Sequence, residues 1–206
     1  MPSLTWSGTG NNAMRYDLTL PSEIREALAN IGELDLIVGI PSYNNARTIG
    51  HVVRAVQAGL AKYFPDSKAM IVNSDGGSTD GTREIVLQVA VDDYSTLLAR
   101  HPVYPVHRIV TPYHGIPGKG SALRTVFQIA SELNAKACAV VDADLRSIEP
   151  SWMDLLLTPA LSEGFDFVSP LYRRHKYDGT ITNSIVYPLT RSLYGLRVRQ
   201  PIGGDF

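Results

Sequence analysis

The segment ACAVVDADLRS, Ala137–Ser147, closes a short apolar run with two aspartates, Asp142 and Asp144, separated by one alanine. Residues two apart on an extended chain point to the same side, so the two carboxylates are expected within a few ångströms of one another. Such a pair repels unless a cation lies between the carboxylates or their ligands. Hard oxygen donors select Mg²⁺ or Mn²⁺, ions that keep positions open for water and phosphate oxygens. The chemistry suggested is metal-assisted departure of a phosphate leaving group. A strand end with a turn cap before Pro150 accounts for the same two residues, and the pair alone leaves both assignments open.

Two further stretches carry groups of the same kind. In PGKGSAL, Pro117–Leu123, glycines 118 and 120 let the backbone approach a ligand, and Lys119 between them can reach an anion. The helix expected directly after it adds a positive dipole end. A glycine-rich helix entry with a solvated lysine is the alternative. The stretch is not a Walker A loop, because Tyr113 stands where its first glycine belongs and Gly120 follows the lysine. In SDGGSTDGT, Ser74–Thr82, Gly76 and Gly77 turn the chain, Ser78 or Asp80 can cap a helix, and Asp75 could accept a hydrogen bond from a nucleobase or ribose.

These stretches need elements that bring them together. Strand-length apolar runs alternate with helical periods. DLIVGIP (35–41) is followed by Ile49, Val52, Val53, Val56 and Leu60 on one helical face; KAMIVNSD (68–75) is followed by Ile85, Val86 and Val89. VYPVHRIVT (103–111) reads as a third strand, placed near an edge by Pro105. A helix with Ala122, Leu123, Val126, Phe127 and Ala130 on its buried face precedes the strand ending at Asp142. Beyond it, SWMDLLLTPALSE predicts a helix interrupted near Pro159, FDFVSPLY (165–172) another strand, and TNSIVYPLTRSLYG a helix kinked at Pro188. Leu18–Gly32 predicts a leading helix outside the sheet. This alternation predicts an α/β, Rossmann-like, mostly parallel sheet flanked by helices. Ligands of such sheets sit beyond the carboxyl ends of the strands, where Asn44, Asp75, Ser78, Asp80, Lys119, Asp142 and Asp144 would share one rim.

With 206 residues the chain is long enough for one domain with a sizeable core and short for two. A net charge of -1 gives no global field for nucleic acid or an anionic membrane, so an anion must be met by a local site. No apolar run reaches transmembrane length, no amphipathic surface helix is evident, and the first residues lack the basic flank and apolar run of a secretory signal. Cys138, the lone cysteine, lies in an apolar run and reads as a buried thiol in a reducing compartment. The expectation is a cytoplasmic protein, left open between monomer and homodimer.

Taken together, IVGIPSYNNARTIGHVV, VNSDGGSTDGT and VVDADL resemble the first strand and helix, the D-x-S-x-D stretch and the DxD motif of the GT-A nucleotide-sugar glycosyltransferases, family 2-like group. The resemblance covers roughly Asp35 to Asp205. With PGKGSAL, YRR (172–174) and QPIGGD (200–205), the chain is similar to the retaining glucosyl-3-phosphoglycerate and mannosylglycerate synthases. That likeness implies a GT-A domain over 35–206 behind a tail and leading helix at 1–34. It implies a hexose donor, UDP-glucose or GDP-mannose, a glycerate-type small acceptor, and Mg²⁺ or Mn²⁺. It makes Asp144 the direct metal ligand and Asp142 the water-mediated or ribose partner. The donor set implied is Pro41, Tyr43, Asn45, Asp75, Ser78, Gly118, Lys119, Asp142 and Ala143, and the acceptor set Arg173, Gly179, Thr182 and Gly204. Asp144, Lys119 and Asp205 are the implied catalytic residues.

Two positions depart from that pattern: Thr180 stands where the phosphoglycerate enzymes carry a basic residue, and Asp205 stands where they carry Glu. The first favours unphosphorylated glycerate at least equally. Relatives continue past this point with a histidine metal ligand, so the chain is expected to be truncated at its C-terminal end. A transferase to a lipid-phosphate or polysaccharide acceptor is one alternative. A non-catalytic nucleotide-binding module or a sugar nucleotidyltransferase is another, although GIPSYNNART lacks the glycine-rich signature of the latter.

Overall fold

The computed structural model describes Leu20 and residues 22–92, 107–112, 118–172, 179–199 and 205–206. Its elements run α1 (Ser22–Ala29), β1 (Leu36–Ser42), α2 (Ile49–Tyr63), β2 (Ala69–Asp75), α3 (Thr82–Asp92), β3 (His107–Pro112), α4 (Lys119–Glu132), β4 (Ala137–Val140), α5 (Ser151–Ser162), a π-helical turn (Thr182–Val186) and α6 (Tyr187–Tyr194). The four strands form one sheet in the order β3-β2-β1-β4, and each neighbouring pair is parallel. β1 up to Pro41 and β2 up to Val72 read as apolar runs because both faces of the sheet are covered, and each strand turns polar only at its carboxyl end.

One face carries Leu36, Val38 and Ile40 of β1 and Ala69 and Ile71 of β2 against α2, α3 and α5. The other carries Ile37, Met70 and Val72 against Val126, Ile129 and Leu133 at α4, together with Leu20, Leu28 and Leu34 around α1. The leading helix is thus part of the core of this second face. Period-two alternation in the strands and the α2 stripe of Ile49, Val52, Val53, Val56 and Leu60 meet in the first face, as their spacing predicts. Gly39 marks the tightest approach: a Cβ there would stand 2.5 Å from Val126 Cγ1, so α4 can lie on β1 only over a glycine.

The register brings Ser42, Asp75 and Pro112 to one level at the carboxyl edge of the sheet. β4 stops three residues lower, with Val140 opposite Gly39, so the chain from Val141 onward crosses the top of the sheet. β3 lies at the edge, as expected, while residues 103–106 of the predicted strand lie outside the described residues.

Several expectations are corrected. FDFVSPLY forms no strand. A strand needs a ladder partner, and at the β4 edge Val140 exchanges both backbone hydrogen bonds with Phe206, leaving 165–172 outside the ladder with Phe167 against the Phe206 ring at 5.8 Å. Phe127 is 42% exposed and faces Phe206 at 6.1 Å, and Thr125 takes the buried position on α4 instead. α5 runs through Pro159 without interruption; the proline stands in the last turn, where its carbonyl accepts N–H groups from Glu163 and Phe165. Pro188 does not kink an α-helix. It lies at the start of α6, after a π-turn whose Tyr187 N–H donates to the Thr182 carbonyl five residues back. The widened turn accommodates the missing proline donor.

An amphipathic surface helix is present after all. No side chain from 179 to 199 is buried, and Ile181, Ile185, Leu189 and Leu193 are 69%, 59%, 53% and 65% exposed at four-residue spacing. Among the described residues no helix is long and apolar enough to cross a membrane.

Candidate active site

A cavity of about 680 Å³ opens at the carboxyl edge of the sheet. The β1 exit supplies Pro41, Ser42 and Tyr43, the β2 exit Gly76 and Gly77, and the start of α4 Gly118, Lys119 and Ala122. Asp142 completes the wall from the segment after β4. Of the predicted donor and catalytic residues, Pro41, Tyr43, Gly118, Lys119 and Asp142 therefore meet at one cavity. Ser42, Gly76, Gly77 and Ala122 were not singled out as lining; the strand register, which sets Ser42 beside Asp75, is the signal that could have found the first of them.

Lys119 and Asp142 form an ion pair within this wall, with side chains 44% and 31% exposed. The first turn of α4 is closed by the N–H of Ser121 on the Gly118 carbonyl at 3.1 Å, which leaves Lys119 at the mouth of a helix N-terminus. The two aspartates do not share one side of a strand. β4 ends at Val140, Asp142 follows one further ladder contact from Val141 N–H to the Gly39 carbonyl at 3.0 Å, and Ala143 and Asp144 form a turn. Ala143 is buried, and its carbonyl accepts the Thr48 hydroxyl at 2.8 Å, which ties this turn to the start of α2. Asp144 is exposed beyond it.

Behind Asp142 lies Asp205, 4% exposed. Its Oδ1 accepts the Asp142 backbone N–H at 2.8 Å and its Oδ2 accepts the Tyr172 hydroxyl, a partner that sequence patterns did not reveal. Burial pushes the Asp205 carboxyl above its ordinary range, against the opposing pull of Tyr172 and the Asp142 N–H. Tyr172 in turn packs against Trp152 of α5, with ring centroids 5.7 Å apart and planes inclined by 43°.

Asp75 is not presented to the cavity. It is 1% exposed and accepts four donors of its own surroundings: the hydroxyls of Ser42 at 3.1 Å and Ser78 at 2.5 Å, and the N–H groups of Gly77 and Ser78, both at 3.0 Å. A carboxylate so engaged organises the loop and leaves no lone pair for a base. Asn45 is likewise turned inward on its own loop: its Oδ1 accepts the Tyr43 N–H at 2.8 Å and its carbonyl starts α2. Asp80 caps α3 through Thr82, whose hydroxyl and N–H it accepts, and the Thr82 hydroxyl with the Ala46 N–H holds its carboxyl below the usual range. Gly179 and Thr182 lie ahead of and within the π-turn, apart from the cavity lining; Arg173 and Gly204 fall outside the described residues.

Among the described residues no cluster of three or more His, Cys, Asp or Glu could cage a metal ion. What the site offers is a pair of carboxylates, Asp142 at the cavity and Asp144 beside it. That donor set fits a hard divalent cation that completes its shell with diphosphate and water oxygens, and does not fit a fully protein-bound ion.

Comparison with known proteins agrees with this architecture. The glucosyl-3-phosphoglycerate synthase of Mycobacterium tuberculosis, solved with Mn²⁺, uridine diphosphate and phosphoglyceric acid, superposes with a TM-score of 0.60 at 23% identity, over 98% of this chain and 61% of that one. The mannosyl-3-phosphoglycerate synthase of Rubrobacter xylanophilus gives 0.61 at 23% identity, over 89% of this chain and 54% of that one. The fold is therefore the GT-A fold, and the chain spans little more than half of these neighbours. A curated relative, the glycosyltransferase AglD of Haloferax volcanii, is 30% identical over 112 residues, which are 53% of this chain and 16% of AglD. The description "Glycosyl transferase family 2" matches residues 37–201. That match spans most of the sequence and includes every strand, β1 from its second residue, and the whole cavity wall, so the chain belongs to glycosyl transferase family 2.

Proposed function

We propose that this domain holds a nucleotide-sugar, UDP-glucose or GDP-mannose, with Mg²⁺ or Mn²⁺, and serves transfer of its hexose with retention to glycerate, 3-phosphoglycerate or a related small acceptor. The observation that carries the proposal is one cavity wall in which a lysine at a helix N-terminus and a carboxylate from the DxD turn meet the Pro41–Tyr43 exit of β1 and the Gly76–Gly77 exit of β2. Asp144, with Asp142 at second remove, is the pair that would hold the cation. Charge neutralisation on the departing diphosphate is the chemistry a bound cation supplies. Lys119 offers a second positive charge to the same diphosphate, and the N-terminus of α4 adds its dipole. Pro41 and Tyr43 form the wall against which the nucleoside end is oriented, and binding there positions the sugar. Asp205 fixes the Asp142 backbone from behind. Of the groups on the cavity wall that could attack, Asp142 is paired with Lys119 and the Ser42 hydroxyl donates to the buried Asp75 carboxylate, which supports front-face attack guided by the leaving phosphate. Arg173, Gly179, Thr182 and Gly204 are the acceptor residues by resemblance, and Thr180 supports glycerate as fully as its phosphate. The solved neighbour's complex with Mn²⁺, uridine diphosphate and phosphoglyceric acid supports the same ligand classes here.

Titration calorimetry with UDP-glucose, GDP-mannose and the free nucleotides, with and without Mn²⁺, tests the assignment on the chain and on Asp144→Ala. Metal-dependent binding of one nucleotide series, lost in the variant, is expected. Binding that needs no metal and survives the substitution overturns the site.

A second reading follows from the helix that ends at Tyr194. Residues 179–199 contain Arg191, Arg197 and Arg199, no acidic residue, and the exposed apolar series described above. Such a surface suits an anionic lipid interface and an acceptor carried on a lipid phosphate. Co-flotation with phosphatidylglycerol vesicles but not with phosphatidylcholine vesicles is its expected mark, and no flotation with either removes it.

A further inference from the structure

The exits of β1 and β2 are joined by hydrogen bonds that cross from one loop to the other. The N–H of Asn44 donates to Ser78 Oγ at 2.8 Å, and Asn44 Oδ1 accepts the Thr79 N–H at 3.0 Å. The next two N–H groups continue the series, Asn45 to Thr82 Oγ1 at 2.9 Å and Ala46 to Asp80 Oδ2 at 3.0 Å. Ser78 is itself fixed, because its hydroxyl donates to the buried Asp75 carboxylate. Asn44 is thus bonded in both directions to a loop that is anchored from below.

Its backbone is unusual as well. Asn44 has φ +53°, the left-handed region that asparagine tolerates better than other residues with a side chain. The cavity wall stands on either side of this junction: Tyr43, 64% exposed, immediately precedes Asn44, and Gly76 and Gly77 immediately precede Ser78. Asn44 lines no part of the cavity itself.

We propose that Asn44 is a positioning residue for the nucleotide pocket: its left-handed turn and its two bonds to Ser78 and Thr79 set the separation between the Pro41–Tyr43 wall and the Gly76–Gly77 wall. The inference rests on the reading of this cavity as a nucleotide site. It assigns the loop motifs a division of labour, in which Asp75, Ser78 and Asp80 hold Asn44 and its neighbours while Pro41–Tyr43 and Gly76–Gly77, the stretches just before Asn44 and Ser78, meet the ligand.

Three substitutions separate the contributions. Asn44→Asp keeps an acceptor and a side chain that tolerates positive φ; Asn44→Gly keeps the backbone and removes the acceptor; Asn44→Ala removes both. UDP is titrated calorimetrically in the presence of Mn²⁺ against the parent and each variant, with thermal unfolding followed alongside. The expected result is a Kd within about threefold of the parent for Asn44→Asp and weaker by about tenfold or more for Asn44→Gly and Asn44→Ala, the scale of one lost hydrogen bond. Should Asn44→Ala fail to fold, the Asp and Gly variants still decide. Equal UDP affinity across the folded variants overturns this inference alone, as does a lowered Tm with unchanged Kd. Absence of UDP binding by the parent chain overturns the nucleotide reading, and this inference with it.

Discussion

Lys119 meets Asp142 directly, so each charge already has a partner of opposite sign within the cavity wall. On the proposed nucleotide-sugar reading, a diphosphate entering the cavity would compete for the ammonium, and a cation would compete for the carboxylate. The two ligands should therefore favour one another's binding, because each releases the group the other needs. Lys119→Met separates these effects: UDP binding in Mn²⁺ should weaken by about tenfold through loss of a charge-assisted contact, while Mn²⁺ alone binds tighter by about threefold beside an unpaired Asp142. Calorimetry for UDP and electron paramagnetic resonance for Mn²⁺ read the two, and a fall in Mn²⁺ affinity with UDP unaffected would refute the coupling. Asp205 presents a different problem, since a buried carboxylate must keep its donors. Tyr172→Phe removes the hydroxyl that Oδ2 accepts and should cost about 1–2 kcal/mol in urea denaturation. The same substitution loosens the support behind the Asp142 N–H.

At the level of elements, legibility followed how local the cause was. β1 up to Pro41 and β2 up to Val72 are buried on both faces and so appear as apolar runs; α2 shows its stripe because one helical face meets the sheet. The polar strand exits were legible too, since ligand-facing residues of such a sheet follow its carboxyl ends, and five of the predicted donor and catalytic residues line the cavity. What failed depended on distant partners. FDFVSPLY has strand composition but Phe206 holds the β4 edge, and the side of α4 that Phe127 occupies is set by the same residue. Asp75 looked available because hydrogen bonds from Ser42, thirty-three residues earlier, leave no trace in its own segment. Cys138, expected as a buried thiol, is only partly buried; desolvation still pushes its pKa up to about 12, so it should react with thiol reagents more slowly in the folded chain than in the unfolded one. Packing at Gly39 offers a direct test of the β1–α4 contact. Gly39→Ala sets a Cβ against the stiff, fully buried Val126 and should destabilise by about 1–3 kcal/mol. Adding Val126→Ala should recover part of that loss, so the double variant lies above the sum of the singles; strict additivity in chemical denaturation would show that helix and strand do not touch there.

Over the whole molecule, the two ends of the sheet are secured by carboxylates of the same kind. At the amino edge Asp35 ties three strands: its Oδ2 accepts the Lys68 N–H before β2 at 2.8 Å, its Oδ1 meets Lys136 Nζ before β4 at 2.7 Å, and it directly precedes β1. At the carboxyl edge Asp80 joins the α2 and α3 entries through Ala46 and Thr82. Lys136, then the Lys68 N–H, holds the Asp35 carboxyl below its ordinary 3.8; Thr82, then the Ala46 N–H, does the same for Asp80. A carboxyl whose folded pKa is depressed stabilises the fold above its unfolded value, and that contribution is lost as pH falls through the lower, folded value. Both edges should therefore weaken together just below pH 3.8, where the unfolded chain takes up protons that the folded one refuses. Asp205 works the other way, since burial raises its pKa and the folded chain binds that proton more readily. Lys136 gives an alkaline counterpart: its pKa is raised above 10.5 by Asp35, so its stabilisation is complete below that value and fades as pH climbs past it. The expected outcome is that urea midpoints of the parent fall between about pH 6 and about pH 3, and that Asp35→Asn combined with Asp80→Asn flattens this fall while leaving the Asp205 contribution in place. A double variant with the parent's full acid slope would place the responsible carboxylates elsewhere in the molecule.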